Sequence, residues 1–121
     1  MKPDGDSMQA PHATDLEDLG LQVSHDVESP WVTTVTATNY VDESITVTWS
    51  TQEDFAWIQF SISETPRVEI YRDQVESLQF SRDPNGSLQI HISTRWPDTS
   101  GSTRITLDNR VIIRDSVTQS N

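Results

Sequence analysis

From Trp31 to Val117 apolar residues recur at every second position in short runs, and this period of two constrains the fold more than any other feature. Ser44–Thr51 carries it most cleanly: Ile45, Val47 and Trp49 share one face, Thr46, Thr48 and Ser50 the other. Trp31–Thr38 is a Thr/Val run, and Phe55–Ser63 has Ile58, Phe60 and Ile62 in phase. Val68–Arg72 follows after Pro66, then Ser77–Arg82 with Leu78 and Phe80 in phase, and Ser87–Thr94 with Leu88, Ile90 and Ile92. Thr103–Leu107 and Val111–Val117 form a last pair around Asp108-Asn109-Arg110, and Thr94–Gly101 reads as a loop holding Trp96-Pro97. Asp83-Pro84-Asn85-Gly86 is a hairpin signal, because proline presets φ and glycine accepts a positive one. The alternation and the short connections predict an all-β fold, an antiparallel β-sandwich or small barrel of about 7–8 short strands.

Residues 1–30 behave differently. They are rich in Asp, Ser, Pro and Gly without sustained periodicity, and read as a polar, acidic N-terminal arm ahead of a single all-β domain over residues 31–121. Thr14-Asp15-Leu16-Glu17 has the spacing of a capping box, with Gly20 placed to end one short helical turn. Gly20–Ser24 is an alternative short edge strand. Leu16, Leu19, Leu21 and Val23 are the apolar anchors that would fasten the arm to the body.

Val35-Thr36-Ala37-Thr38 through Ile45-Thr46-Val47-Thr48-Trp49 resembles the opening strands of a fibronectin type III domain, in which a core Trp ends the second strand. Phe60 then resembles the aromatic of the following strand. The resemblance covers about a quarter of the chain, includes no tyrosine corner near the penultimate strand, and implies a two-sheet sandwich.

Cysteine is absent, so a core of about ninety residues must hold together by packing and backbone hydrogen bonds alone. The stretch Met1–Pro11 has one Lys and no apolar run, unlike a secretory signal, and no window reaches the roughly 18 apolar residues that span a bilayer. A cytoplasmic location and no membrane partner are therefore expected. The formal net charge is −11, and residues 1–66 carry all of it: twelve acids against the single base Lys2. Residues 67–121 set seven acids against seven arginines. Such a chain is a poor ligand for phosphate backbones, which need clustered cations, so direct nucleic-acid binding is not expected. A basic protein partner suits the first half, though net charge also serves solubility alone.

No segment carries a catalytic, cofactor or metal signature. His12 and His25 lie in the arm, while His91, between Ile90 and Ile92, points away from the core and reads as a solvated strand residue. Alternate turns of a meander share an end, which would gather Asp42, Glu43, Glu64, Asp83 and Asp108 at one end and Glu53, Asp54, Asp73, Glu76 and Asp98 at the other. Oxygen clusters of this kind suit calcium, but acids in turns are ordinary and no Asp-x-Asp-x-Asp loop is present, so no metal is assigned. Asn85-Gly86-Ser87 matches a glycosylation acceptor, yet the turn itself requires that glycine. Phe55 and Trp57 face away from Ile58, Phe60 and Ile62, and Trp31 and Trp96 are further candidates for exposure; the alternative is that Leu16–Val23 folds over Phe55 and Trp57.

These features predict a non-enzymatic protein-binding module, without cofactor, whose acidic surface engages a basic partner in a toxin-neutralising or inhibitory role. The partner-binding candidates are Trp31, Asp42, Glu43, Glu53, Asp54, Phe55 and Trp57. Alternatives are a particle or fibre subunit that assembles through its arm, for which deletion of residues 1–28 would be diagnostic, and a carbohydrate-binding module with Trp57 and Trp96 as platforms.

Overall fold

The computed structural model describes residues 8–119. Within them β1 (Gln22–His25), β2 (Val32–Thr38), β3 (Glu43–Ser50), β4 (Phe55–Ile62) and β5 (Thr65–Arg72) form one antiparallel sheet in sequence order. A second antiparallel sheet, also in sequence order, holds β6 (Val75–Arg82), β7 (Leu88–Arg95), β8 (Thr99–Leu107) and β9 (Val111–Gln119). Neither sheet closes on itself, so the fold is a sandwich and not a barrel. Both sheets are meanders, so the likeness to a fibronectin type III domain extends to the buried Trp49 but not to Greek-key connections.

The period-two reading corresponds to the buried faces. Val23, Val35, Val47, Ile58 and Ile70 stand opposite one another across the five-stranded sheet. Phe80, Ile90, Ile105 and Ile113 do the same across the four-stranded one. β-Branched and aromatic side chains fill such pleated rows well. Trp49 joins the layers, its ring centroid 5.7 Å from that of Phe80 on the facing sheet.

Three local features depart from the sequence expectation. Pro66 does not precede β5 but lies within it, opposite Ser61 beside a register shift at Phe60/Ser61; an edge strand tolerates a residue without an N–H. Ser63 and Glu64, with φ of 50° and 67°, make the β4–β5 turn although neither favours that region. β8 begins at Thr99, so Ser100 and Gly101 pair with Arg95 and Thr94 where a loop was expected. A Cβ on Gly101 would lie 2.4 Å from Thr94 Oγ1 and 3.2 Å from the Trp96 ring, and only glycine lets the chain continue as strand there.

The chain changes sheets between β5 and β6 through only Asp73 and Gln74. Three Cα steps span about 10 Å, just the usual spacing of packed sheets, so the crossing happens at a corner where the layers meet. Val75 N–H bonds to Asp54 O (2.9 Å) and Arg95 N–H to Gln74 O (3.1 Å), which fastens that corner to the neighbouring turns.

Residues 8–21, ahead of β1, are part of the body. Gln9 pairs with Ser77 at the edge of β6 in a parallel bridge, its N–H on Glu76 O and its carbonyl receiving Leu78 N–H. Helix α1 (Ala13–Asp18) is capped at His12, whose N–H is accepted by Asp15 Oδ2 at 3.3 Å, two residues before the Thr14 cap that spacing alone suggests. Gly20, at φ 79°, ends it in a Schellman turn: Gly20 N–H bonds to Glu17 O and Leu21 N–H to Leu16 O. Met8, Leu16 and Leu21 belong to the buried core, and Arg82 donates from Nε and Nη2 to Leu19 O. Deleting residues 1–28 would therefore remove core side chains and does not distinguish an assembly arm from a binder.

Candidate functional site

Because antiparallel strands alternate direction, the seven partner-binding candidates fall at two ends of the five-stranded sheet. Trp31, Glu53, Asp54, Phe55 and Trp57 lie at or near the end formed by the β1–β2 and β3–β4 connections. Asp42 and Glu43 lie at the other, separated from them by the eight-residue strand β3, or about 24 Å.

At the first end the β3–β4 turn is built by Ser50, whose buried hydroxyl accepts Glu53 N–H at 3.1 Å. This leaves the Glu53 side chain exposed and turns Asp54, at φ 55°, inward. Asp54 is buried and its carbonyl holds Val75 N–H, so its place is architectural. Beyond it Phe55 and Trp57 project from the outer face of β4, opposite in phase to Ile58 and Phe60. Trp57 is 41% exposed. Its cross-strand neighbour on β5 is Tyr71, 59% exposed, whose ring stacks on Phe55 with centroids 5.6 Å apart. The residues Leu16–Val23 do not cover these rings: they close the opposite side of the sandwich. Trp31 precedes β2, whose first residue, Val32, stands opposite Ser50, itself opposite Phe55.

Tyr71 was not among the sequence candidates. Its signal was present, since a strand that buries Ile70 must turn Tyr71 outward; what sequence could not supply was that β5 pairs with β4 at the register Trp57↔Tyr71. Around these aromatics the sheet face is polar, with Thr34 Oγ1 and Thr48 Oγ1 3.0 Å apart and Gln59 donating to Glu69. The result is a polar sheet face with an aromatic corner, and the exposed Glu53 two residues before Phe55.

The other end is a scaffold. Glu43 Oε1 accepts from Asn39 Nδ2 (2.9 Å) and from the β9 N–H of Val111 (3.2 Å), tying the two sheets together. Asn39 also donates to Asp108 O, and the Tyr40 hydroxyl donates to Asn109. Asp42, exposed at φ 65°, accepts Ser63 N–H on its carbonyl. Beside this end lies a recess of about 490 Å³ lined by Leu21, Ala37, Tyr40, Arg82 and Leu107 among others. Arg82 is committed there to Leu19 O and Gly86 O.

Trp96 is not a free platform. Its ring lies against Gly101, its Nε1 donates to Asp73 at 3.4 Å, and it belongs to the β7–β8 turn, away from the sheet face that bears Trp57. His91 does point outward from the core, as its phase predicts, and its Nε2 is 2.9 Å from Ser102 Oγ. Burial first, and then the neighbouring Arg104 charge, lower its pKa from the ordinary 6.5. Among the described residues no group of three or more His, Cys, Asp or Glu could hold a metal ion, and no helix is long and apolar enough to cross a membrane.

No family model matches the chain, and no curated protein matches it. Among solved structures its fold is similar to a chain of the contact-dependent growth inhibition toxin–immunity protein complex from Klebsiella pneumoniae 342. The TM-score is 0.76 at 17% identity, covering 92% of this chain and 97% of that one. The likeness is one of fold.

Proposed function

We propose that the chain is a non-enzymatic protein-binding module that neutralises a basic toxin, as an immunity protein does. Its contact surface is centred on Phe55, Trp57 and Tyr71 and edged by Trp31 and Glu53, with the more remote Asp42 at most a rim contact. The observation that carries this reading is the aromatic corner: three large rings, two of them well exposed, on an otherwise polar sheet face beside a free carboxylate. Exposed aromatic clusters of this kind supply anchoring residues at interfaces, and a bordering acid speeds encounter with a basic partner. The fold shared with a chain from a toxin–immunity complex supports the same assignment. Asp54 and Glu43, held inside the architecture, act through the shape of the turns and not by direct contact.

The experiment is affinity capture of the native partner by the intact chain, followed by association kinetics. The expected partner is a basic protein whose growth-inhibiting activity the chain abolishes. Trp57→Ala should weaken binding by about 2 kcal/mol, roughly thirtyfold. Glu53→Lys should slow association at low salt, with the difference closing as salt rises. Full neutralisation by both variants would overturn this surface.

A further inference from the structure

The two sheets differ in where their charge stands. On the outward face of the four-stranded sheet, Gln79, His91, Arg104 and Arg114 form one cross-strand row. Arg104 and Arg114 are directly opposite each other, both exposed, and among the described residues neither makes an ion pair. Like charges set opposite across a ladder are destabilising. In a chain of net charge −11, an abundance of acid leaves this pair unmatched.

Arg114 belongs to β9, which among the described residues ends its sheet and pairs with β8 alone. Edge strands are ordinarily blunted by proline, lysine, a bulge or an inward charge. The facing edge, β5, has Pro66 and a register shift. β9 runs nine residues in unbroken register with neither proline nor lysine, its one inward charge being Asp115, which Arg72 and Thr103 Oγ1 already engage. Ile112, 48% exposed, shares the outward face with Arg114 two positions away.

We infer that β9 is a docking edge for an extended segment of a partner protein, added antiparallel, with a carboxylate opposite Arg114 and an aliphatic side chain opposite Ile112. The new strand takes up the free backbone groups of β9, and its carboxylate relieves the Arg104–Arg114 repulsion. A second copy of this chain fits worse. Two-fold pairing centred on Arg114 sets arginine against arginine, and pairing centred on Asp115 sets carboxylate against carboxylate. Single-stranded nucleic acid fits worse too: the one ring in this row, His91, is half-buried and bonded to Ser102, and a chain of net charge −11 repels a phosphate backbone.

The test uses the full chain and two capped peptides, Thr-Thr-Glu-Val-Val-Thr and the same sequence with Lys in place of Glu, titrated at millimolar concentration while amide shifts and hydrogen exchange are followed by NMR. The Glu peptide should protect amides of β9, with the Lys peptide bound about fivefold or more weakly. Arg114→Glu should reverse that preference and Arg114→Gln should level it; Arg114 is exposed, so both variants keep the core. Equal binding of the two peptides, absence of binding, or shifts confined to other strands would overturn the proposal. So would protection of β9 through peptide-independent dimerisation, which would identify a second copy as the occupant.

Discussion

The two open sides of this sandwich are closed by different physics. Along β1 and β6, residues 8–21 fill the gap with Met8, Leu16 and Leu21, pair Gln9 to the β6 backbone, and tie the end of α1 to Arg82. Along β5 and β9 one polar latch stands in that place: Arg72 paired with Asp115, which also accepts Thr103 Oγ1 at 2.6 Å. The first seam draws its stability from apolar burial and leaves little edge for another chain. The second is partly solvated, contributes modestly, and among the described residues leaves the outer edges of two strands without a backbone partner. The side that costs least to open is thus also the side that can accept a strand.

The largest expected effect breaks the apolar seam. Leu16 is fully buried, and Leu16→Ala should cost about 3 kcal/mol through lost burial and an unfilled cavity, read from the midpoint of chemical denaturation at unchanged slope. A loss under about 1 kcal/mol would mean that α1 is an accessory rather than a wall.

A smaller effect is expected at the latch. Asp115→Ala should cost about 1–2 kcal/mol, because Arg72 and the buried Thr103 hydroxyl both lose their acceptor. Replacing both ends, Arg72→Leu with Asp115→Leu, should restore stability to within about 1 kcal/mol, since well-packed apolar pairs substitute for ion pairs at little cost. The same double variant should aggregate more readily, because it sets apolar side chains on two edge strands where the ion pair stood. If it stayed as soluble as the parent chain, the latch would have no protective part.

The smallest effect asks whether either seam accounts for pH dependence near neutrality. Because the folded His91 has a pKa below 6.5, the unfolded chain binds its proton first as pH falls. Its contribution is complete above about pH 6.5, declines as pH drops toward the lowered folded value, and is constant below that. His91→Gln should flatten stability across this window while leaving the effect of Asp115→Ala unchanged. A slope that survives the substitution would place the titration elsewhere.

Much of the fold was legible in the sequence. Trp49, Ile58 and Ile90 were placed inside, and Phe55, Trp57 and His91 outside, because a strand alternates its side chains by local stereochemistry whatever it pairs with. The Asp83–Gly86 hairpin was equally plain, Asp83 Oδ1 accepting from Asn85 and Ser87 N–H as an Asx turn should. The Ser63-Glu64 hairpin was hidden because neither residue advertises the positive φ it adopts. Glu43 and Asp54 looked like surface acids; Glu43 is half-buried against Val111, and Asp54 is buried in a turn whose carbonyl holds Val75 N–H, both partners far along the chain.

What the sequence by itself determined, then, is the face on which each strand residue stands and the asymmetry of its charge. Only the tertiary structure decided that Tyr71 joins Phe55 and Trp57, that Arg104 faces Arg114, and that residues 8–21 seal one side while the Arg72–Asp115 ion pair bridges the other. The physical reason is that alternation is set within a few residues of backbone, whereas strand order and register depend on pairings between distant segments that the local pattern does not encode.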